Sequence, residues 1–332
     1  MGEFIDEKYY TPRKNFFNGN PTVVKSEKLD LSQDVKDLHK ALGFISNKQT
    51  IIDIICTKTN RERLELAKAY KTCYDRDLLE EFKRKFPKGD FSKLLIALMT
   101  PTYEYYCNEI YNALNRAGTD ESVLMQILCT LSNNDINEVC QKYVKNYGKT
   151  LEKDLRSDTS GNLRKLLLSL LNATRDESMI LDLYTARVDA MELKRAGVDK
   201  WGTDTSTFTR ILCLRNLDQI RLISQEYEYI TGNSLEKDLK KEFSGDILDA
   251  LLSILRYATH RSLYFARCIQ STIVGFGTND KSLIRLIVTR CEIDMGDIKE
   301  AYEDKYGKSL KSAIKGDTSG YYCKALLKLI GE

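Results

Sequence analysis

Residues 196–204 read AGVDKWGTD, and residues 242–245, further on, read EFSG. The pair Gly202-Thr203 in the first stretch recurs as Gly118-Thr119 and as Gly277-Thr278. The later turn recurs as SDTSG at 157–161 and as GDTSG at 316–320. The interval from Gly118 to Gly161 equals that from Gly202 to Gly245 and that from Gly277 to Gly320. Three equal intervals within similar text mark an internal repeat, in which each unit buries its apolar face against its neighbours.

A fourth copy lies upstream. FSKLLIALMTP at 91–101 matches LRKLLLSLLNA at 163–173 and ILDALLSILRY at 247–257, and RDLLEEF at 76–82 matches KTLEKDL at 149–155. The chain then divides into a tail (1–28) and four repeats at 29–100, 101–173, 184–259 and 260–332. Each repeat reads as five helices, which makes the fold all-α. In the second repeat, Val123, Leu124, Ile127, Leu128 and Leu131 form one apolar stripe. Thr119 is the expected N-cap before that stripe, and Asn134 the expected cap of the helix after it. Gly148 ends that helix, and Thr159 or Ser160 opens the last.

The 332 residues are 42% apolar and 30% charged, with four prolines and a net charge of +3. This is the composition of a folded chain, and its charge is too balanced for a nucleic-acid partner. No apolar run reaches the roughly 18 residues of a membrane span. The nine cysteines form no CxxC pair, which reads as buried free thiols in a reducing compartment. His39 and His260 lack metal-ligand spacing. No P-loop or nucleophile elbow is present, so the expectation is a protein that binds rather than catalyses.

The glycine loops carry the chemistry. Glycine lets a loop turn several carbonyls toward one point. A carboxylate stands at the same distance after each Gly-Thr glycine, at Asp158, Glu242 and Asp317. Carbonyls plus one carboxylate form a hard-oxygen shell suited to Ca²⁺, left open for water or an outside anion such as a lipid phosphate.

AGVDKWGTD at 196–204 and IKGDTSGYY at 314–322 closely resemble text of the annexin repeat, and the resemblance covers roughly residues 29–332. It implies a slightly curved disk of four five-helix repeats, with Ca²⁺ loops on the convex face and the tail on the concave one. It also implies calcium-dependent attachment to anionic phospholipid membranes, with membrane bridging or organisation as an extension. The implied ligands of the fourth repeat are Ile273, Gly275, Gly277 and Asp317, with Asn279 replacing the usual Asp. Those of the third are Gly197, Lys200, Gly202 and Glu242. In the second they are Leu114, Arg116, Gly118 and Asp158, a weaker site because Arg116 stands where the family has glycine. Trp201, Lys200 and Phe276 are the expected membrane contacts, since tryptophan favours the interface.

The first repeat departs from the pattern. KALGFISNKQT at 40–50 is one residue short and lacks the Gly-Thr text, and Lys85 stands in the carboxylate position, where a cation repels Ca²⁺. The expectation is no main-type calcium site there and a structural role alone. Arg285 matches a polar residue of the family's central axis, but Tyr106, Gln126 and Leu131 stand where charged partners are common, which argues against ion permeation. The tail, with Tyr9, Tyr10, Phe16 and Phe17, reads either as a loosely packed segment or as an arm for a protein partner. The implied location is cytoplasmic and peripheral to membranes, with surface display through unconventional export left open. The alternative function is a cytoskeletal scaffold with partly decayed calcium sites.

Overall fold

A computed structural model describes residues 19–27, 30–115, 118–199, 202–275 and 277–332. The tail aromatics lie outside the described residues, as do Arg116, Lys200, Trp201 and Phe276. Twenty α-helices and no strand stand among the described residues, in four sets of five. The first set is α1 (Leu31–Ala41), α2 (Lys48–Ile55), α3 (Asn60–Tyr74), α4 (Leu78–Lys85) and α5 (Asp90–Met99). The second is α6 (Thr102–Leu114), α7 (Glu121–Leu128), α8 (Asn133–Tyr147), α9 (Leu151–Asp158) and α10 (Gly161–Leu171). The third is α11 (Leu183–Ala196), α12 (Thr205–Leu214), α13 (Leu217–Thr231), α14 (Leu235–Glu242) and α15 (Gly245–Thr259). The fourth is α16 (Arg261–Ile273), α17 (Asp280–Arg290), α18 (Met295–Tyr306), α19 (Leu310–Asp317) and α20 (Gly320–Leu329).

Local chemistry sets the helix ends. The third helix of each set stops on a left-handed residue: Asp75, Gly148, Gly232 or Gly307. Glycine meets no Cβ clash there, and Asp is among the few other residues that tolerate it. Two expected caps are corrected. Ser132, not Asn134, caps α8, because its hydroxyl accepts from Asp135 N while the Asp135 carboxylate returns to Ser132 N. Asp120, not Thr119, caps α7 and accepts from Val123 N. Ser160 opens α10 without a side-chain cap.

The apolar faces gather into two cores. One joins the first and fourth sets through Leu38, Ile51, Leu94, Ile287 and Leu326. The other joins the second and third through Ile110, Leu124, Leu166, Ile211 and Leu251. Leu131 packs against the second core only partly buried. Residues 20–26 run from the fourth set to the first. Val23 N donates to Cys291 O at 2.9 Å, and Thr22 Oγ1 to Leu329 O at 2.6 Å. Ser26 N then donates to the Glu62 carboxylate at 2.8 Å. Gly296 permits this path, since a Cβ there would lie 2.5 Å from Asn20 Nδ2.

A polar contact links the second set to the fourth. Arg285, buried, donates to Glu109 Oε2 and to Gln126 Oε1, each at 2.9 Å. Glu109 is the charged partner that the sequence did not single out.

All nine cysteines are unpaired thiols, but they are not all buried: Cys73 is exposed, and Cys140 and Cys268 are half-buried. Burial pushes Cys56 and Cys291 up to about 12, which keeps both protonated and unreactive. His39 stacks on Tyr74, with ring centroids 3.7 Å apart. No helix among the described residues is long and apolar enough to cross a membrane.

Candidate metal and membrane loops

The loop between the first and second helix of each set closes on itself. Asn47 N donates to Ala41 O at 2.8 Å, Asp120 N to Ala113 O at 3.0 Å, Asp204 N to Ala196 O at 2.8 Å, and Asn279 N to Thr272 O at 2.8 Å. Each of these four donors also caps the following helix with its side chain. Asn279 therefore does the work of the aspartate it replaces. Gly118, Gly202 and Gly277 take φ values of 84°, 85° and 86°, a left-handed turn that only glycine makes without strain. Gly275, at φ 130°, shares that requirement.

The second component arrives from the end of the fourth helix. Glu242 ends α14, and its Oε2 accepts from Thr203 Oγ1 at 2.7 Å. Asp317 ends α19, and its Oδ2 accepts from Thr278 Oγ1 at 2.6 Å. Asp158 ends α9, but there Thr119 Oγ1 donates to the main-chain oxygen at 2.9 Å and the side chain is exposed. The threonine of each Gly-Thr pair is thus a latch between loop and turn, a role the sequence did not disclose. The Thr119 hydroxyl is directed to the turn, while the cap of α7 falls one residue later, on Asp120.

Of the other sequence-derived ligands, Gly197, Leu114 and Ile273 are among the described residues. A Cβ on Gly197 would sit 3.2 Å from Phe208 Cζ and 3.5 Å from Glu242 Cγ, so this glycine packs beside the Glu242 side chain. Leu114 and Ile273 are the last residues of α6 and α16, where carbonyls lack intrahelical partners and are available to a ligand. No group of three His, Cys, Asp or Glu side chains suited to a metal occurs among the described residues. In the second, third and fourth repeats the fourth helix ends on one carboxylate beside a loop of main-chain carbonyls. That hard-oxygen set fits Ca²⁺ far better than a zinc-type ion.

In the first repeat Lys85, at the end of α4, reaches its loop: its Nζ donates to Gly43 O at 2.6 Å. The position that holds a carboxylate in the other repeats holds an ammonium group here, bound to the loop carbonyl.

The loops and turns adjoin across repeats. Asn162 Nδ2 donates to Thr205 Oγ1 at 3.1 Å, joining the second repeat's turn to the third repeat's loop. Gly118, Thr119 and Asp120 line a cavity of about 350 Å³ together with Asp246 and Asp249 of α15. These two carboxylates come from another repeat, so no spacing rule within a repeat could find them. Lys48, just after the first loop, lies 5.4 Å from the Tyr321 ring centroid, next to the fourth repeat's turn.

Comparison with known proteins agrees with this frame. The annexin family model matches residues 33–98, 105–170, 188–254 and 264–329. The chain belongs to the annexin family. This annexin is 40% identical to bovine annexin A4 over 311 residues, covering 93% of this chain and 97% of that protein. Among solved structures, annexin III superposes with a TM-score of 0.92 at 35% identity, covering 96% of this chain and 99% of that one. The structure of calcium-bound annexin (Sm)1 superposes with a TM-score of 0.86 at 33% identity, covering 95% and 93%.

Proposed function

We propose that this annexin attaches to anionic phospholipid surfaces through Ca²⁺ held at the loops of its third and fourth repeats. Glu242 with the carbonyls of Gly197, Lys200 and Gly202 forms one site. Asp317 with those of Ile273, Gly275 and Gly277 forms the other. The observation that carries this reading is the latch: Thr203 and Thr278 hold Glu242 and Asp317 on the loops whose glycines turn the backbone. When bound, the ion supplies a positive charge that a lipid phosphate or carboxylate can complete, which a chain of net charge +3 does not otherwise concentrate.

The second repeat is a weaker site. Its Asp158 carboxylate is exposed and the Thr119 hydroxyl meets its main-chain oxygen instead. Trp201, Lys200 and Phe276 are the proposed lipid contacts of the two principal loops. Attachment is peripheral and reversible, on the cytoplasmic side. The test is sedimentation with phosphatidylserine vesicles, with Ca²⁺ and with chelator, while following Trp201 emission. Calcium-dependent pelleting with a blue shift supports the reading. Equal recovery under both conditions favours the cytoskeletal scaffold instead.

A further inference from the structure

The first repeat carries two of the most exposed large apolar side chains among the described residues. Phe44 is 102% exposed and Ile45 86% exposed, side by side at the apex of the loop between α1 and α2. A phenylalanine and an isoleucine facing water side by side on one short loop form a small contiguous apolar patch, the kind that marks a contact surface. The loop beneath them is not loose. Asn47 N closes it on Ala41 O at 2.8 Å, and Lys85 Nζ reaches Gly43 O, next to Phe44, at 2.6 Å.

The loop also sits on the same face as the calcium loops. Lys48 Nζ lies 5.5 Å from the Phe86 ring centroid and 5.4 Å from that of Tyr321. Tyr321 directly follows Gly320, which opens α20 just after Asp317 and its turn. α17 of the fourth repeat packs against α5 of the first. The first repeat's loop and turn thus adjoin the fourth repeat's site. Lys40, near the end of α1, and Lys88, just before α5, are both exposed. Apolar tip, exposed lysines and continuity with the calcium face together fit an anionic lipid surface.

We infer that the first repeat's loop is a lipid-contacting anchor that needs no calcium ion of its own. Lys85 takes the ion's place as the cation that draws in the loop carbonyl, and Phe44 and Ile45 enter the bilayer interface. This inference rests on the membrane face proposed above and extends it to the repeat expected to be structural alone. Lys85 is a positioning residue; the apolar pair makes the contact. Burying part of two such side chains at an interface is worth on the order of a tenfold gain in affinity.

The experiment uses the full chain with Trp201→Phe and Phe44→Trp, so that position 44 carries the one tryptophan. Mixed with phosphatidylserine vesicles and Ca²⁺, its emission is expected to shift to the blue and to be quenched by brominated acyl chains. In the wild-type background, Phe44→Ser with Ile45→Ser is expected to lower vesicle affinity about tenfold at fixed Ca²⁺, without changing thermal unfolding. Lys85→Met is expected to reduce the position-44 shift, and Lys85→Arg to restore it, with Ca²⁺ stoichiometry constant in both. If the chain pellets with Ca²⁺ but position 44 stays unshifted and unquenched, the anchor is overturned and the calcium reading stands. If position 44 shifts equally with chelator, the anchor holds and the calcium reading fails. No pelleting and no shift overturns both. Self-association without vesicles that the double serine variant abolishes assigns the patch to a second copy and also overturns the anchor.

Discussion

The loops of the first and fourth repeats are closed by the same bond and capped by the same residue type, yet they treat charge in opposite ways. Asn47 N meets Ala41 O and Asn279 N meets Thr272 O, both at 2.8 Å. The residue that then reaches the loop from the end of the fourth helix is Asp317 in one repeat and Lys85 in the other. A carboxylate adds a negative oxygen donor and leaves the loop waiting for a cation. An ammonium group supplies the cation itself. Loop closure and the carboxylate are therefore separable: the first repeat keeps the closure and holds an ammonium group in the carboxylate's place.

The comparison breaks most sharply if the two are made alike. Asp317→Lys should give the fourth repeat the chemistry of the first. Titration calorimetry is expected to show one Ca²⁺ equivalent fewer, and the Ca²⁺ needed for half-maximal vesicle binding should rise on the order of a hundredfold, since ligand charge dominates calcium affinity. An unchanged stoichiometry would place the ion elsewhere. The reverse change, Lys85→Glu, should cost about 1 kcal/mol by removing the bond to Gly43 O, read as a lower midpoint in urea. It should add no Ca²⁺ equivalent, because the loop is one residue short and lacks the Gly-Thr turn.

Gly277→Ala separates backbone from charge. At φ 86°, an alanine costs about 1 kcal/mol, so calcium affinity at the fourth repeat should fall roughly fivefold with no loss of stoichiometry. The smallest effect concerns pH in the third repeat. Hydrogen bonds from Arg256 and Lys240 hold Glu236, on the helix that ends in Glu242, down at about 2. A depressed carboxylate stabilises the fold above its unfolded value near 4.5, and that stability is lost as pH falls from there toward 2. Arg256→Ala should flatten this acid limb in a urea-melt series between pH 5 and 2.

Most of the fold was legible because the repeat wrote it several times over. The equal glycine intervals placed Asp158, Glu242 and Asp317 against their loops, and the structure brings Glu242 and Asp317 there. What escaped was whatever depends on contact between distant segments. Arg285 was noticed, but Glu109 lies 176 residues away, on a helix of another repeat. Asp246 and Asp249 reach the second repeat's loop from the third. The Thr119 hydroxyl could cap a helix by local rules, and it is committed elsewhere by a turn 39 residues on. Lys85 read as repulsion because its sign was visible while its carbonyl partner was not.

The central claim is that Glu242 and Asp317 carry calcium-dependent membrane attachment. The most direct measurement is co-sedimentation of the Glu242→Ala, Asp317→Ala double variant with phosphatidylserine vesicles across a Ca²⁺ titration, beside the unaltered chain. The account predicts that the unaltered chain pellets as Ca²⁺ rises and that the variant, equally folded by circular dichroism, stays in solution until Ca²⁺ is raised at least a hundredfold. Two superimposable binding curves would contradict it.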